Sequence, residues 1–390
     1  MTQFLIPKEP RPNWCMLRPR GGRRSLPSPV HGKPTYYLFW ARNAMYHGLK
    51  ALGIRPGEAV LAPAYHCASA IEPILRCGAR VAFYNVRRDG SPDFHDLQAK
   101  LNESTRALLA IHYFGFPQPI RELQVFCQAH QLYLIEDCAH VLTGEADGGV
   151  LGSFGDISIF SWRKFLPLYD GGLLVINNPP CHVNIPWEGN SLFFFLKVVK
   201  NLSERLLDNS DRKTAKAISY LLRYADLIGR YILSTSKTHS KIFPINSYSA
   251  DFDLAQVNLR MSKFSKYILQ NVDFSSIIEK RHFNYYYLLK AMEVLPRIAP
   301  WFPHLPVGVC PWVFPLVVHG LQNFHHLLRA KGIPAFTWDG VIHPRLDLAE
   351  FPDAAFLYHN LVLLPIHQDL GNAEMDTMIE VIAEALSHSD

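Results

Sequence analysis

With 390 residues, 48% of them hydrophobic and 19% charged, the chain is long enough for two domains with a substantial buried core. Its net charge of +5 is modest, its longest apolar cluster (Leu192 to Leu196) is far too short to span a bilayer, and prolines 10, 12 and 19 break up the N-terminus where a signal-peptide core would lie, so a soluble cytoplasmic protein is expected. The seven cysteines are scattered without C-x-x-C spacing, which fits reduced thiols and argues against a disulfide framework or zinc site.

Residues 1–36 read as an irregular arm rich in Pro, Gly and Arg, where Lys8, Arg11, Arg18, Arg20, Arg23 and Arg24 face only Glu9. A solvated tail or a segment draped on a neighbouring subunit accounts for this charge better than a nucleic-acid site. From 37 to 250 a large domain is expected. Helix-like segments at Ala41–Leu52, Ala68–Arg76, Asp93–Leu101 and Ile120–His130 alternate with apolar strands at Ala59–Ala62, Arg80–Tyr84, Ala107–His112, Leu132–Asp137, Asp156–Lys164 and Gly172–Ile176. Nearly continuous apolar strands between helices imply a mostly parallel sheet covered on both faces, an α/β fold whose ligands bind at the strand ends. Residues 185–245 differ, with Leu192, Phe195, Val199, Leu202 and Leu206 on one face of a helical insert. Packing is the default role of that stripe; a lid or a membrane-surface patch are the alternatives. From 251 to 390 a smaller α/β domain is expected, with strands at Val313–Val318 and Leu361–Pro365 and an amphipathic helix at Ala373–Leu386.

Two charged residues stand out because each ends an apolar run: Asp137 after Leu132 to Glu136, and Lys164 after Ile157 to Arg163. A buried lysine and a buried carboxylate lining one crevice are what pyridoxal 5'-phosphate requires, the amine to bond the aldehyde and the carboxylate to hold the pyridine nitrogen protonated. For the phosphate, Asn43 and Ala44 open the first helix, where free amides and the helix dipole favour an anion, and the Ser161 hydroxyl lies three residues before the lysine.

Several segments occur in a recognisable order: Leu49-Lys50-Ala51-Leu52-Gly53-Ile54-Arg55-Pro56-Gly57-Glu58, Ile111-His112-Tyr113-Phe114-Gly115, Ile135-Glu136-Asp137-Cys138-Ala139-His140, Gly152-Ser153-Phe154-Gly155-Asp156 with Phe160-Ser161 and Lys164 through Gly171-Gly172, Asn258-Leu259-Arg260-Met261-Ser262, and Phe351-Pro352-Asp353-Ala354 with Leu364-Pro365-Ile366-His367. This set resembles the DegT/DnrJ/StrS family, the sugar aminotransferases among fold-type-I pyridoxal-phosphate enzymes. The resemblance implies a large domain with a helix-covered sheet, a small C-terminal domain, and a homodimer with shared active sites. It implies Lys164 as the Schiff-base lysine and acid/base, Asp137 on the pyridine nitrogen, and Asn43, Ala44 and Ser161 near the phosphate. Asn258 would reach the phosphate of the neighbouring subunit, and His140 would lie beside the cofactor unless it is a plain core histidine. Glutamate would be the amino donor and a keto-sugar, most plausibly nucleotide-linked, the acceptor. Where the family has Thr and an aromatic residue, this chain has Tyr65-His66-Cys67, so His66 or Tyr65 stacks on the ring. Ser161 and Lys164 are closer together than the family's usual spacing, which implies a trimmed turn. Two rivals remain: a pyridoxal-phosphate-dependent sugar dehydratase, disfavoured because such relatives tend to replace the lysine with histidine, and a non-catalytic binding or regulatory module of the same fold.

Overall fold

The computed structural model describes residues 5–12, 16, 30–178, 183–188, 198, 200–201 and 252–387. The helical stripe from Leu192 to Leu206, and nearly all of the 185–245 insert, lie outside the described residues. Strand β1 (Thr35–Leu38) leads into α1 (Ala41–Ala51), then β2 (Ala59–Pro63), α2 (Ala68–Arg76), β3 (Arg80–Tyr84), α3 (Phe94–Lys100), β4 (Thr105–Ile111), α4 (Ile120–Ala129) and β5 (Tyr133–Cys138). A short hairpin, β6 (Glu145–Ala146) and β7 (Gly149–Val150), precedes β8 (Ile157–Ser161) and β9 (Gly172–Ile176).

Seven of these strands form one sheet in the order β1-β9-β8-β5-β4-β2-β3. Strands β2, β3, β4, β5 and β8 run parallel, while β9 runs antiparallel to both of its neighbours. Every residue of β2, β8 and β9 is buried, as expected for strands covered on both faces. The chain steps from β2 to β3 on one side and to β4 on the other, creating the change of direction beyond which α/β sheets bind ligands.

The C-terminal part begins with α5 (Lys263–Asn271) and α6 (Phe274–Met292). It continues through β10 (Ile298–Pro300), β11 (Val313–Val318), α7 (Phe324–Ala330), α8 (Pro352–Asn360), β12 (Leu361–Pro365) and α9 (Asn372–Ser387). Strands β10, β11 and β12 make a separate antiparallel sheet. Asp273 caps α6 by accepting from the Ser276 N–H, and Ser262 caps α5 through the Ser265 N–H.

Three sequence expectations need correcting. Thr35 and Tyr36, read as the end of the arm, already pair with Val175 and Leu174 in the sheet. Lys164 is not on a strand: a single 3₁₀ turn, Trp162–Lys164, follows Ser161. The start of the arm is neither solvated nor left for a neighbour. Ile6 is 1% exposed, and the Leu5 N–H donates to the Gly332 carbonyl at 2.9 Å, so residues 5–11 pack against the C-terminal part of the same chain.

Candidate active site

The C-terminal ends of β2, β4, β5 and β8 open onto a cavity of about 290 Å³. Its walls include Cys67 and Ser69 after β2, Ile111 at the end of β4, Asp137, Ala139 and His140 from and after β5, and Ser161 and Lys164 from and after β8. Asp137 pairs in register with Ile111 on one side and Ile159 on the other, which fixes its carboxylate at the cavity floor. Trp312, Phe336, Thr337 and Trp338 supply much of the remaining wall.

Burial pushes the Asp137 carboxyl above its usual range, opposed by the nearby Lys164 charge and by the Ala139 N–H, which donates to Oδ1 at 2.9 Å. Burial lowers Lys164 to about 8, opposed by Asp137. The two groups therefore meet electrostatically inside one enclosed space. The Lys164 Nζ lies 4.8 Å from the centre of the Trp312 ring, so its ammonium form faces an aromatic π-system.

His140 is buried, and burial together with the Lys164 charge holds it well below its usual value, so its ring is neutral. Its Nδ1 accepts from the Phe114 N–H at 3.4 Å, which leaves the ring proton on Nε2. Phe114 has φ +56°, a left-handed conformation unusual for an aromatic residue. Gly115 follows at φ +101°, where an added Cβ would lie 2.7 Å from the Cys310 carbonyl oxygen. This tight corner aims the Phe114 carbonyl at the Trp312 N–H, which donates to it at 2.8 Å.

Glu136, next to the site carboxylate, points the other way. It is fully buried and accepts from the N–H groups of Gly152, Phe154 and Gly155 at 2.8, 2.7 and 2.6 Å, and it contacts His112 Nε2 at 3.1 Å. Burial alone would raise its pKa, but these partners together hold it below the ordinary value. Alternation along β5 thus assigns one carboxylate to the cavity and the other to the Gly152–Gly155 loop. Asp170 plays a similar structural part: it accepts from the Ser262 N–H and from the hydroxyls of Ser262 and Ser265, tying the lysine segment to the Asn258–Ser262 motif.

Of the sequence candidates, Lys164, Asp137, His140 and Ser161 share the cavity wall. Asn43, Ala44, His66 and Asn258 do not. The Asn43 side chain turns away to donate to the Gln256 carbonyl at 2.8 Å, and Ala44 is fully buried in the core; Ala41, Arg42 and Met45 of the same helix line the cavity in their place. His66 lies flat against Phe83, with ring centres 5.0 Å apart, and its Nδ1 contacts the Pro63 carbonyl at 2.8 Å. Tyr65, the other stacking candidate, packs on Trp338 with ring centres 4.9 Å apart and is also off the wall; Cys67 takes the cavity position. Asn258 meets Glu188 at 3.4 Å.

Sequence reasoning missed Trp312, Trp338, Arg281 and Lys8. A tryptophan opening the apolar strand at Val313 was the only local hint for Trp312. Arg281 is fully buried in α6, donates to the Pro311 and Trp312 carbonyls and to Gln368, and packs over Phe165, next to Lys164. No helix among the described residues is long and apolar enough to cross a membrane.

Residues 41–186 match the model of the DegT/DnrJ/EryC1/StrS aminotransferase family, so the resemblance carried by the sequence motifs holds for that segment. Within the curated relatives, a GDP-perosamine synthase from Vibrio cholerae is 33% identical over 138 residues, which is 35% of this chain and only 38% of that enzyme's length. A UDP-4-amino-4,6-dideoxy-N-acetyl-beta-L-altrosamine transaminase from Helicobacter pylori is 23% identical over 305 residues, 72% of this chain and 80% of its own. The fold matches that of solved sugar-aminotransferase structures. Helicobacter pylori PseC, an aminotransferase involved in the biosynthesis of pseudoaminic acid, superposes with TM-score 0.65 and 16% identity over 92% of this chain and 88% of its own. The aminotransferase TlmJ from Streptoalloteichus hindustanus gives TM-score 0.64 and 17% identity over 91% and 86%.

Proposed function

We propose that the protein is a pyridoxal-phosphate-dependent aminotransferase that takes an amino group, with glutamate as donor, and delivers it to a nucleotide-linked keto-sugar. The single observation that carries this reading is the enclosure of Lys164 and Asp137 in one cavity at the strand ends of a fold-type-I sheet. The relatives named above, which act on nucleotide sugars by their names, support the acceptor class.

The wall residues suit this cofactor. A buried carboxylate with a raised pKa favours a cation beside it, as a protonated pyridine nitrogen would be. The Ser161 and Ser69 hydroxyls, with Arg42 and Arg163, supply donors and positive charge for a phosphate. His140 offers an Nε2 donor beside Lys164. When bound, pyridoxal phosphate supplies a ring that withdraws electrons from the substrate carbon.

The protein's own residues then do the rest. A lysine near 8 carries roughly 300-fold more neutral amine at neutral pH than one at 10.5, so Lys164 can take and return a proton at Nζ. Trp312 and Trp338 cover the amine and exclude water. We assign Asn258, which stands off its own cavity, to the site of a second subunit in a cytoplasmic homodimer.

The test is the visible spectrum of the purified protein. Added pyridoxal phosphate should give a bound-cofactor band that is absent in Lys164→Ala and is bleached by glutamate. No band after cofactor addition would favour a non-catalytic binding module, and a band that glutamate leaves unchanged would oppose transamination.

A further inference from the structure

The N-terminal residues reach the cavity from outside the sheet. Leu5 pairs with Gly332 through its backbone, and a Cβ at Gly332 would come within 2.6 Å of the Leu5 side chain, so the fit is close. Ile6 is buried, and the Pro7 carbonyl meets His367 Nε2 at 2.9 Å. The Arg11 N–H then donates to Asp369. Anchored at both ends, Lys8, Glu9 and Pro10 form part of the cavity wall beside Phe336, Thr337 and His367. The Lys8 Nζ stands 5.7 Å from the centre of the Phe336 ring.

Cationic side chains on the wall (Lys8, Arg42, Arg163, Lys164 and Arg281) outnumber the carboxylates of Glu9 and Asp137. Most have visible employment. Lys164 faces Asp137, Arg281 is held by backbone carbonyls and Gln368, and Arg42 stacks on Trp40 at 4.1 Å. Lys8 is the cation that arrives on a separate segment, next to the part of the wall built by β12 and the residues before α8. Burial lowers its pKa, so an anion beside it would relieve the cost of holding its charge there.

We infer that residues 5–11 are a fixed strap completing the substrate end of the cavity, and that Lys8 binds an anionic group of the substrate. This deepens the aminotransferase reading and rests on it. The anion is either a carboxylate of the amino donor or a phosphate of the nucleotide-linked acceptor.

Trp312 and Trp338 line the same cavity, so tryptophan emission can report binding there. The purified protein is titrated with uridine diphosphate and, separately, with glutarate, alongside K8Q, K8R and I6D. Loss of one charge-assisted contact should weaken one probe by about tenfold in K8Q, with K8R retaining most of the affinity. I6D, which releases the strap, should match K8Q while its circular-dichroism melt stays cooperative. A loss confined to uridine diphosphate assigns Lys8 to the acceptor phosphate; a loss confined to glutarate assigns it to the donor carboxylate. Equal affinities in the wild type and K8Q, or no binding of either probe by the wild type, would overturn the inference. Because these titrations need no cofactor, a protein that takes up pyridoxal phosphate but shows no Lys8 effect fails only here. One that shows the Lys8 effect without cofactor uptake fails only in the aminotransferase reading.

Discussion

The imidazole of His140 and the indole of Trp312 lie face to face, with ring centres 4.5 Å apart and planes 5° from parallel. They come from opposite halves of the chain, one just past β5 and the other just before β11. The same indole faces the Lys164 amine, and its backbone is pinned by Phe114 on one side and Arg281 on the other. The C-terminal sheet thus sets the polarity around a lysine that the large sheet carries.

Removing that indole should therefore raise the Lys164 pKa. In Trp312→Ala, water reaches the amine, and its pKa should climb from about 8 toward 10.5, by roughly one unit or more. The rate of pyridoxal phosphate uptake against pH measures this, since only the neutral amine reacts. Its midpoint should move up in Trp312→Ala and stay near the wild-type value in Trp312→Phe.

Asp137→Asn should move the same midpoint the other way. The carboxylate favours the charged form of Lys164, so its loss should lower the lysine below 8 and shift uptake to lower pH. The variant should also lose transamination by at least ~100-fold, because the pyridine nitrogen loses its anionic partner. Single-turnover rates with glutamate separate this loss from the uptake effect.

Glu136→Gln tests the structural carboxylate. The folded-state pKa of Glu136 is depressed, so its stabilisation is present above the unfolded value near 4.5 and is lost as pH falls through the folded value. Breaking this buried network should cost about 3–5 kcal/mol at neutral pH. Urea melts should show that gap narrowing below pH 4.5. A gap independent of pH would mean that the charge of Glu136 contributes nothing.

Gly172→Ala tests a close approach of backbones. A Cβ there would lie 2.1 Å from the Trp40 carbonyl carbon, and Gly172 pairs with both Leu38 and Ser161. The clash cannot be relieved by a flexible side chain, so α1 or β9 must shift. A loss of several kcal/mol is expected, read as a lower Tm, together with weaker cofactor retention as Ser161 and Ala41 move apart.

Much of this was legible in the sequence because the signals were local. Strands Arg80–Tyr84, Gly172–Ile176 and Val313–Val318 occupy the residues their apolar runs mark, and Asp137 and Lys164 announce themselves by ending such runs. What stayed hidden depends on contacts between distant segments. Nothing near His66 shows that its ring will lie against Phe83 instead of facing the cavity. Asn43 has the right residue type and helix position, yet the Gln256 carbonyl claims its amide. Lys8 sits in an arm whose composition suggests solvent, and only the burial of Ile6 and the groove at Gly332 bring it inside.

The most direct measurement of the central claim is reductive trapping. The purified protein is incubated with pyridoxal phosphate, reduced with borohydride, digested and mapped by mass. One modified peptide is expected, carrying the phosphopyridoxyl group on Lys164, and none in Lys164→Ala. Labelling of a different lysine, Lys8 included, or no stable label at all, would contradict the assignment of this cavity.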